Sequence, residues 1–181
     1  GLRTLSRETI CKYVGKGVER LMDQSIKGTG CADLSLAVKL FRKFYSENLM
    51  NHTRFYPFGR EILDHFRDKK QAICSNKPED FVRRILVSLE SQDLFDAILG
   101  GDSLKSKKPD PEGLLYLLDH FQCPPEQATL IGDSPVDIET GKRAGIYTCV
   151  VSFGFGDPKE IALTEPDCYI DHLSELKDLF H

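Results

Sequence analysis

Leu130-Ile131-Gly132-Asp133-Ser134-Pro135-Val136-Asp137 is the stretch whose reading decides the fold. An apolar run, Ala128-Thr129-Leu130-Ile131, stops at Gly-Asp, and the signals of a helix start follow at once. Ser134 suits the N-cap, Pro135 the first helical position and Asp137 the first turn. A buried strand therefore delivers Asp133 to the carboxyl edge of a sheet, and the next helix brings Asp137 beside it. In open α/β sheets ligands sit at that edge. A plain βα turn, in which Asp and Ser only cap a helix, reads equally well from this stretch alone.

Outward from it, the chain alternates. From Pro57 the pattern predicts a helix over 59–69, the strand Ala72-Ile73-Cys74 and a helix opened by Pro78 and running to 90. A strand over 95–99 ends at Gly100-Gly101-Asp102, and a basic loop, Lys105-Ser106-Lys107-Lys108, leads to Pro109-Asp110-Pro111 and a helix to 121. After the Asp133 strand come a helix to 144, a strand over 147–151, a helix over 158–163, a strand over 168–170 and a closing helix over 173–180. Short apolar runs alternating with helices predict an α/β fold with a Rossmann-like parallel sheet covered on both faces.

Residues 1–55 read differently. Ser6 precedes helical spacing at Ile10, Tyr13 and Val14, Gly15-Lys16-Gly17 interrupts it, and Val18, Leu21 and Met22 resume it. Lys27-Gly28-Thr29-Gly30 then leads to a third helix with Leu34, Val38, Phe41 and Tyr45 on one face. The expected organisation is a helical unit over 1–55 and an α/β unit over 56–181.

Composition bounds the partners. The 181 residues carry a formal net charge of −4 and no basic run, which argues against nucleic acid. No apolar stretch reaches the roughly 18 residues of a membrane span, and no signal-peptide pattern opens the sequence. The six cysteines (Cys11, Cys31, Cys74, Cys123, Cys149 and Cys168) form no C-x-x-C pair. Cys74, Cys149 and Cys168 fall in strand-like runs, where a reduced thiol acts as a small hydrophobe, so a cytoplasmic protein is expected. The five histidines are scattered singly, with no zinc spacing. A monomer or a homodimer is expected.

Three polar groups now fall at or near the carboxyl ends of different strands: Ser75, Lys108, and Asp133 with Asp137. Alone, Ser75 or Asn76 could cap the Pro78 helix, and Lys107-Lys108 could be a solvated loop. Together, a hydroxyl, an ammonium beside a rigid proline and a pair of carboxylates suit a phosphoryl group with Mg²⁺.

Ser75-Asn76-Lys77-Pro78, Lys107-Lys108-Pro109-Asp110-Pro111 and Gly132-Asp133-Ser134-Pro135-Val136-Asp137 resemble motifs two, three and four of the haloacid dehalogenase-like (HAD) phosphatases. Tyr13-Val14-Gly15-Lys16-Gly17-Val18-Glu19-Arg20-Leu21-Met22 resembles the small helical cap of the phosphoglycolate phosphatase branch. The resemblance implies that Ser75, with Asn76, binds phosphate and that Lys108 orients the phosphoryl group and nucleophile. It implies Asp133 as a Mg²⁺ ligand, with Asp137 as its supporting carboxylate at the metal site. Gly15, Lys16 and Gly17 would form a substrate-facing cap loop in which Lys16 meets a substrate carboxylate. The implied reaction is Mg²⁺-dependent hydrolysis of a small phosphorylated metabolite such as 2-phosphoglycolate, through an aspartyl-phosphate.

The family's first motif, a strand ending in D-x-D, is absent from the sequence. That motif would supply the nucleophile, the acid/base and a further metal ligand, on a strand lying centrally in the sheet. The expectation is that the natural chain is longer at its N-terminus and that residues 1–181 alone turn nothing over. Two alternatives follow from the same residues: a catalytically dead module that binds a phosphate ligand or a protein, and a β-phosphoglucomutase-like sugar-phosphate mutase.

Overall fold

Helices open the chain because their caps are written locally. In the computed structural model, which describes residues 2–30 and 33–180, Ser6 caps α1 (Arg7–Cys11) by accepting from the Thr9 N–H at 3.2 Å. Cys31 lies outside the described residues. Gly15 and Gly17 have φ of 100° and 89°, backbone that residues with a Cβ rarely adopt, so the interruption before α2 (Val18–Ile26) depends on glycine. Asp33 caps α3 (Leu34–Asn48), accepting from the Leu36 N–H at 2.8 Å. Val18 and Leu21 are the buried residues of α2, which packs on α3.

The α/β elements follow in the predicted order: α4 (Gly59–His65), β1 (Ala72–Cys74), α5 (Glu79–Ser88), β2 (Ala97–Leu99), α6 (Glu112–Phe121), β3 (Thr129–Gly132), α7 (Pro135–Ala144), β4 (Tyr147–Val151), α8 (Pro158–Leu163), β5 (Cys168–Ile170) and α9 (Leu176–Leu179). Single-turn 3-10 segments at Gln92–Leu94, Pro125–Gln127 and Leu173–Glu175 punctuate them. Among the ends that differ from expectation, three have a local cause. The helix after Pro57 stops at His65, because Arg67 and Lys69 bond back only three residues, to the carbonyls of Asp64 and Phe66. The strand expected from 95 starts at Ala97, after the Asp96 carboxylate ties itself to the Gln71 N–H and to Lys70. The closing helix is split because Glu175 reaches back to the N–H groups of Asp171 and His172, at 2.8 and 2.7 Å, and tightens its first turn.

All strand pairings are parallel, in two ladders rather than one sheet. β1 pairs with β2 (Ile73 opposite Ile98), while β4 lies between β3 and β5 (Ile131 opposite Cys149, Cys149 opposite Cys168). The alternation of side chains along β4 explains its continuous apolar reading. Cys149 and Val151 pack with Ile62, Ile170 and Leu176 on one face, and Val150 packs with Ile138 and Ile161 on the other. A third cluster, Leu114, Ala144 and Ile146, is touched by both Cys74 of β1 and Leu130 of β3, so the two ladders border one core. Between them no described residue pairs with the second edge of β1 or β3, and Ile131 stays 45% exposed.

The five described cysteines are free thiols. Burial pushes the thiols of Cys74 and Cys149 up, so both stay protonated. No helix among the described residues is long and apolar enough to cross a membrane.

Candidate active site

The turn from β3 to α7 places one carboxylate under another. Oδ2 of Asp137 accepts from the Asp133 N–H (3.1 Å), the Ser134 N–H (3.1 Å) and the Ser134 hydroxyl (2.7 Å). This gathers helix-terminal donors that would otherwise lack partners. Gly132 is obligatory for the arrangement, because a Cβ there would run into the Asp137 side chain. The remaining oxygen, Oδ1, accepts from Nζ of Lys108 at 2.6 Å, and both side chains are buried, 12% and 8% exposed. Burial pushes the Asp137 carboxyl up. The Lys108 charge and hydrogen bond, with those from Ser134 and Asp133, outweigh it and hold the group below the ordinary carboxylate range.

Lys108 is fixed at its backbone as well. Its carbonyl accepts from Nδ2 of Asn76 at 2.9 Å. Arg143 of α7 donates to the Pro109 carbonyl at 3.1 Å. Asp110 accepts from the Glu112 N–H (2.9 Å), and Glu112 in turn accepts from the Ser106 N–H (2.7 Å).

Ser75 leaves the end of β1 with its N–H still bonded to the Leu99 carbonyl at 2.9 Å. Its hydroxyl accepts from the Lys77 N–H at 3.1 Å, and its hydrogen has no acceptor among the described residues, so it is available to an incoming oxygen. Neither Ser75 nor Asn76 caps the following helix. Pro78 holds the N-cap position of α5, and Asp102, from the loop after β2, accepts from the Glu79 N–H at 2.8 Å.

Asn76 is only 7% exposed and has both amide hydrogens engaged, one on the Lys108 carbonyl and one on the Gly15 carbonyl, each at 2.9 Å. Expected to contact phosphate, its side-chain amide has no donor left for that, while no acceptor among the described residues takes its backbone N–H. Gly101 lets the β2 loop pass against it, since a Cβ there would strike the Asn76 carbonyl. Of the expected loop Gly15-Lys16-Gly17, Gly15 is tied to Asn76 and Gly17 lies against Lys107, whose Nζ is 3.1 Å from Glu19. Lys16 is exposed and bonds to nothing described. Lys77 adds a further tie, donating to the Tyr45 hydroxyl of α3 at 2.9 Å.

Asp133 presents differently from Asp137. Its Oδ2 accepts from the Phe155 N–H at 2.9 Å, its carbonyl accepts from the Gly156 N–H at 3.1 Å, and Oδ1 has no partner among the described residues. The loop after β4 can close this tightly because Gly154 and Gly156 lack side chains; a Cβ at either would collide with Asp133. Sequence reading missed this contribution. Its signal was present in Phe153-Gly154-Phe155-Gly156 directly after a buried strand.

The donor set fits one carboxylate ligand of Mg²⁺, an ion that prefers oxygen and keeps waters and phosphate oxygens around it. Asp133 has the open oxygen for that role. Asp137, expected to support the metal site, accepts from Lys108 at Oδ1 and from the turn at Oδ2. No group of three or more metal-ligating side chains occurs among the described residues.

Comparison with known proteins bears on the same residues. The family model described as haloacid dehalogenase-like hydrolase matches residues 1–151. The phosphoglycolate phosphatase of Nitrosospira multiformis is 34% identical over 186 residues, covering 99% of this chain and 82% of that protein. That of Aquifex aeolicus is 36% identical over 157 residues, covering 86% and 72%. The crystal structure of a predicted phosphoglycolate phosphatase from Haemophilus somnus superposes with a TM-score of 0.91 at 28% identity, covering 99% of this chain and 84% of that one. With the Ser75, Lys108 and Asp133 loops at the carboxyl ends of parallel strands, these matches establish that the chain belongs to the haloacid dehalogenase-like hydrolases, in their phosphoglycolate phosphatase-like branch, and is of the phosphatase kind.

Proposed function

We propose that this phosphatase hydrolyses a small phosphomonoester, 2-phosphoglycolate or a close analogue, with Mg²⁺ and through an aspartyl-phosphate. The observation that carries this reading is the buried Lys108–Asp137 pair at the carboxyl edge of β3, in the same loop cluster as the free Ser75 hydroxyl hydrogen. The names of the relatives at 34% and 36% identity favour the substrate.

No D-x-D occurs in the 181 residues. We therefore assign the nucleophile and its acid/base partner to a strand outside them, seated between β1 and β3, where two strand edges that no described residue pairs with border a shared apolar cluster. In that assembly the nucleophilic carboxylate attacks phosphorus, and the ester oxygen leaves as an alcohol after taking a proton from the acid. Water then attacks the acyl phosphate, releasing inorganic phosphate and restoring the carboxylate. Lys108, held by Asp137, holds a phosphoryl oxygen, and Ser75 donates to another. Asp133 would hold Mg²⁺, which when bound neutralises charge on the transferring group. Asp137 acts through Lys108 and the turn.

Residues 1–55 act as a cap over the core of residues 56–181, with Gly15-Lys16-Gly17 facing the site. Lys16, exposed and unpaired among the described residues, is the group we assign to a substrate carboxylate. The free thiols favour a reducing compartment, the cytoplasm.

The test is release of inorganic phosphate from 2-phosphoglycolate by the full-length protein, with Mg²⁺ and with EDTA. Release that EDTA abolishes and Lys108→Met suppresses is expected. No release under either condition, or transfer of phosphate between hydroxyls of a sugar phosphate, would overturn the reading.

A further inference from the structure

One buried amide joins three segments of the chain. The Nδ2 group of Asn76 donates to the Gly15 carbonyl, 61 residues away, and to the Lys108 carbonyl, 32 residues away. The orientation of the amide is fixed by chemistry: both neighbours are carbonyl oxygens, so only the NH₂ end can face them. Its other end, Oδ1, is buried without a partner among the described residues. Such a group is costly in a core, so the two donated bonds must be strong enough to hold it there.

Other ties also join the N-terminal helices to the rest, among them the edge-on contact of the Tyr45 ring with buried Phe81. Lys107–Glu19 and Arg84–Ser46 lie in exposed surroundings, and Lys77–Tyr45 is only half-buried. Asn76 is itself buried, and it reaches the backbone of the residue whose ammonium Asp137 holds. Lys108 is thus restrained at both ends of a flexible stem, by Asn76 at its carbonyl and by Asp137 at its Nζ.

From this juxtaposition we propose that Asn76 is a positioning residue that couples docking of the Gly15-Lys16-Gly17 loop to the placement of Lys108. This rests on the phosphatase reading for its catalytic consequence, but the coupling itself is a property of the three segments. When the Gly15 loop departs, the amide loses one of its two acceptors and is free to turn, and the Lys108 carbonyl loses its restraint. Linkage makes the effect reciprocal: a ligand that orders Lys108 favours the docked loop, and a substrate that draws the loop down orders Lys108.

The test compares wild type, Asn76→Ala and Asn76→Ser in the full-length protein by hydrogen exchange, with inorganic phosphate and Mg²⁺ as the probe. Steady-state kinetics on 2-phosphoglycolate run beside it. In the variants, exchange is expected to rise roughly tenfold in segments 12–18 and 104–110 together, on the loss of two net hydrogen bonds. Segment 147–151 should stay unchanged. The kcat is expected to fall by a similar factor at nearly constant KM, with the shape of the pH profile retained. Asn76→Ser, which keeps one hydroxyl donor, should lie between Ala and wild type and covers the case in which Asn76→Ala does not fold. Loosening of one segment without the other, or of neither, overturns the coupling whatever the activity. A full-length wild type that releases no phosphate overturns the phosphatase reading instead, and exchange alone then decides the coupling.

Discussion

Nζ of Lys108 lies 2.6 Å from Oδ1 of Asp137, although the two residues are 29 apart in the chain and arrive from different loops. The pair is buried, and removing either member has unequal consequences. Without Asp137, the Lys108 charge and three donors of the β3–α7 turn lose their acceptor. Without Lys108, the carboxylate keeps those three donors.

Asp137→Ala is therefore expected to cost on the order of 3–5 kcal/mol of stability, the range for breaking a buried ion pair from one side. Lys108→Met should cost clearly less. Urea unfolding of both variants checks the order, and equal losses would count against the asymmetry.

The same pair sets an acid limit. The folded carboxyl of Asp137 is held below its unfolded value, against the upward push of burial, chiefly by Lys108. Its stabilisation is therefore fully present above the unfolded carboxylate value of about 3.9 and is lost as pH falls through the lowered folded value. Unfolding free energy measured stepwise from pH 6 into acid, for wild type and Asp137→Asn, should converge at the acid end. A constant difference across the range would contradict the assignment.

Gly154→Ala should disturb Asp133 without touching Lys108. The added methyl collides with the Asp133 side chain, and overpacking of this kind typically costs about 1–3 kcal/mol. A lowered melting temperature with weakened Mg²⁺ dependence of phosphate release is expected. An unchanged melting temperature would mean that the loop moves aside freely.

Ser75→Ala tests the free hydroxyl hydrogen. The side chain makes one internal hydrogen bond, accepted from Lys77, so the fold should hardly notice its loss. Removal of a donor aimed at transition-state charge typically lowers kcat about 10²–10³-fold. Phosphate release at saturating substrate, read beside the melting temperature, separates the two effects.

Glu19→Gln breaks the Lys107 contact at the edge of the N-terminal helices, where both side chains are well exposed. Such pairs contribute about 0–1 kcal/mol and weaken with salt. Little change in stability is expected, which separates this outer contact from the buried tie made by Asn76.

Much of the fold was legible because its signals are local. Tyr147–Val151 and Pro158–Leu163 have the predicted bounds, since a buried apolar run and a proline after an aspartate N-cap are written in adjacent residues. The Ser134 turn was legible for the same reason. The division into two ladders was not, because pairing of β1 with β2 and of β3 with β4 depends on which edges meet. Of the candidate site, the loops carrying Ser75, Lys108 and Asp133 could be found from strand ends. The partners of Asn76 and Asp133 could not, for both are backbone groups of distant loops.

What the sequence by itself determined is therefore the series of helices and strands and the identity of the groups brought to the strand ends: a hydroxyl, an ammonium and two carboxylates. Periodicity, caps and prolines act over a few residues and need no knowledge of the whole. What only the tertiary structure decided is the division of labour among those groups. Asp133 and Asp137 are the same residue type four positions apart, yet one has an oxygen without a partner among the described residues and the other has both oxygens hydrogen-bonded, to Lys108 and to the turn. Asn76, which reads as a ligand for phosphate, has its side-chain donors taken by two carbonyls, leaving its backbone N–H for that role. Hydrogen-bonding capacity is set by residue type, but whether that capacity is free is set by which distant backbone packs against it.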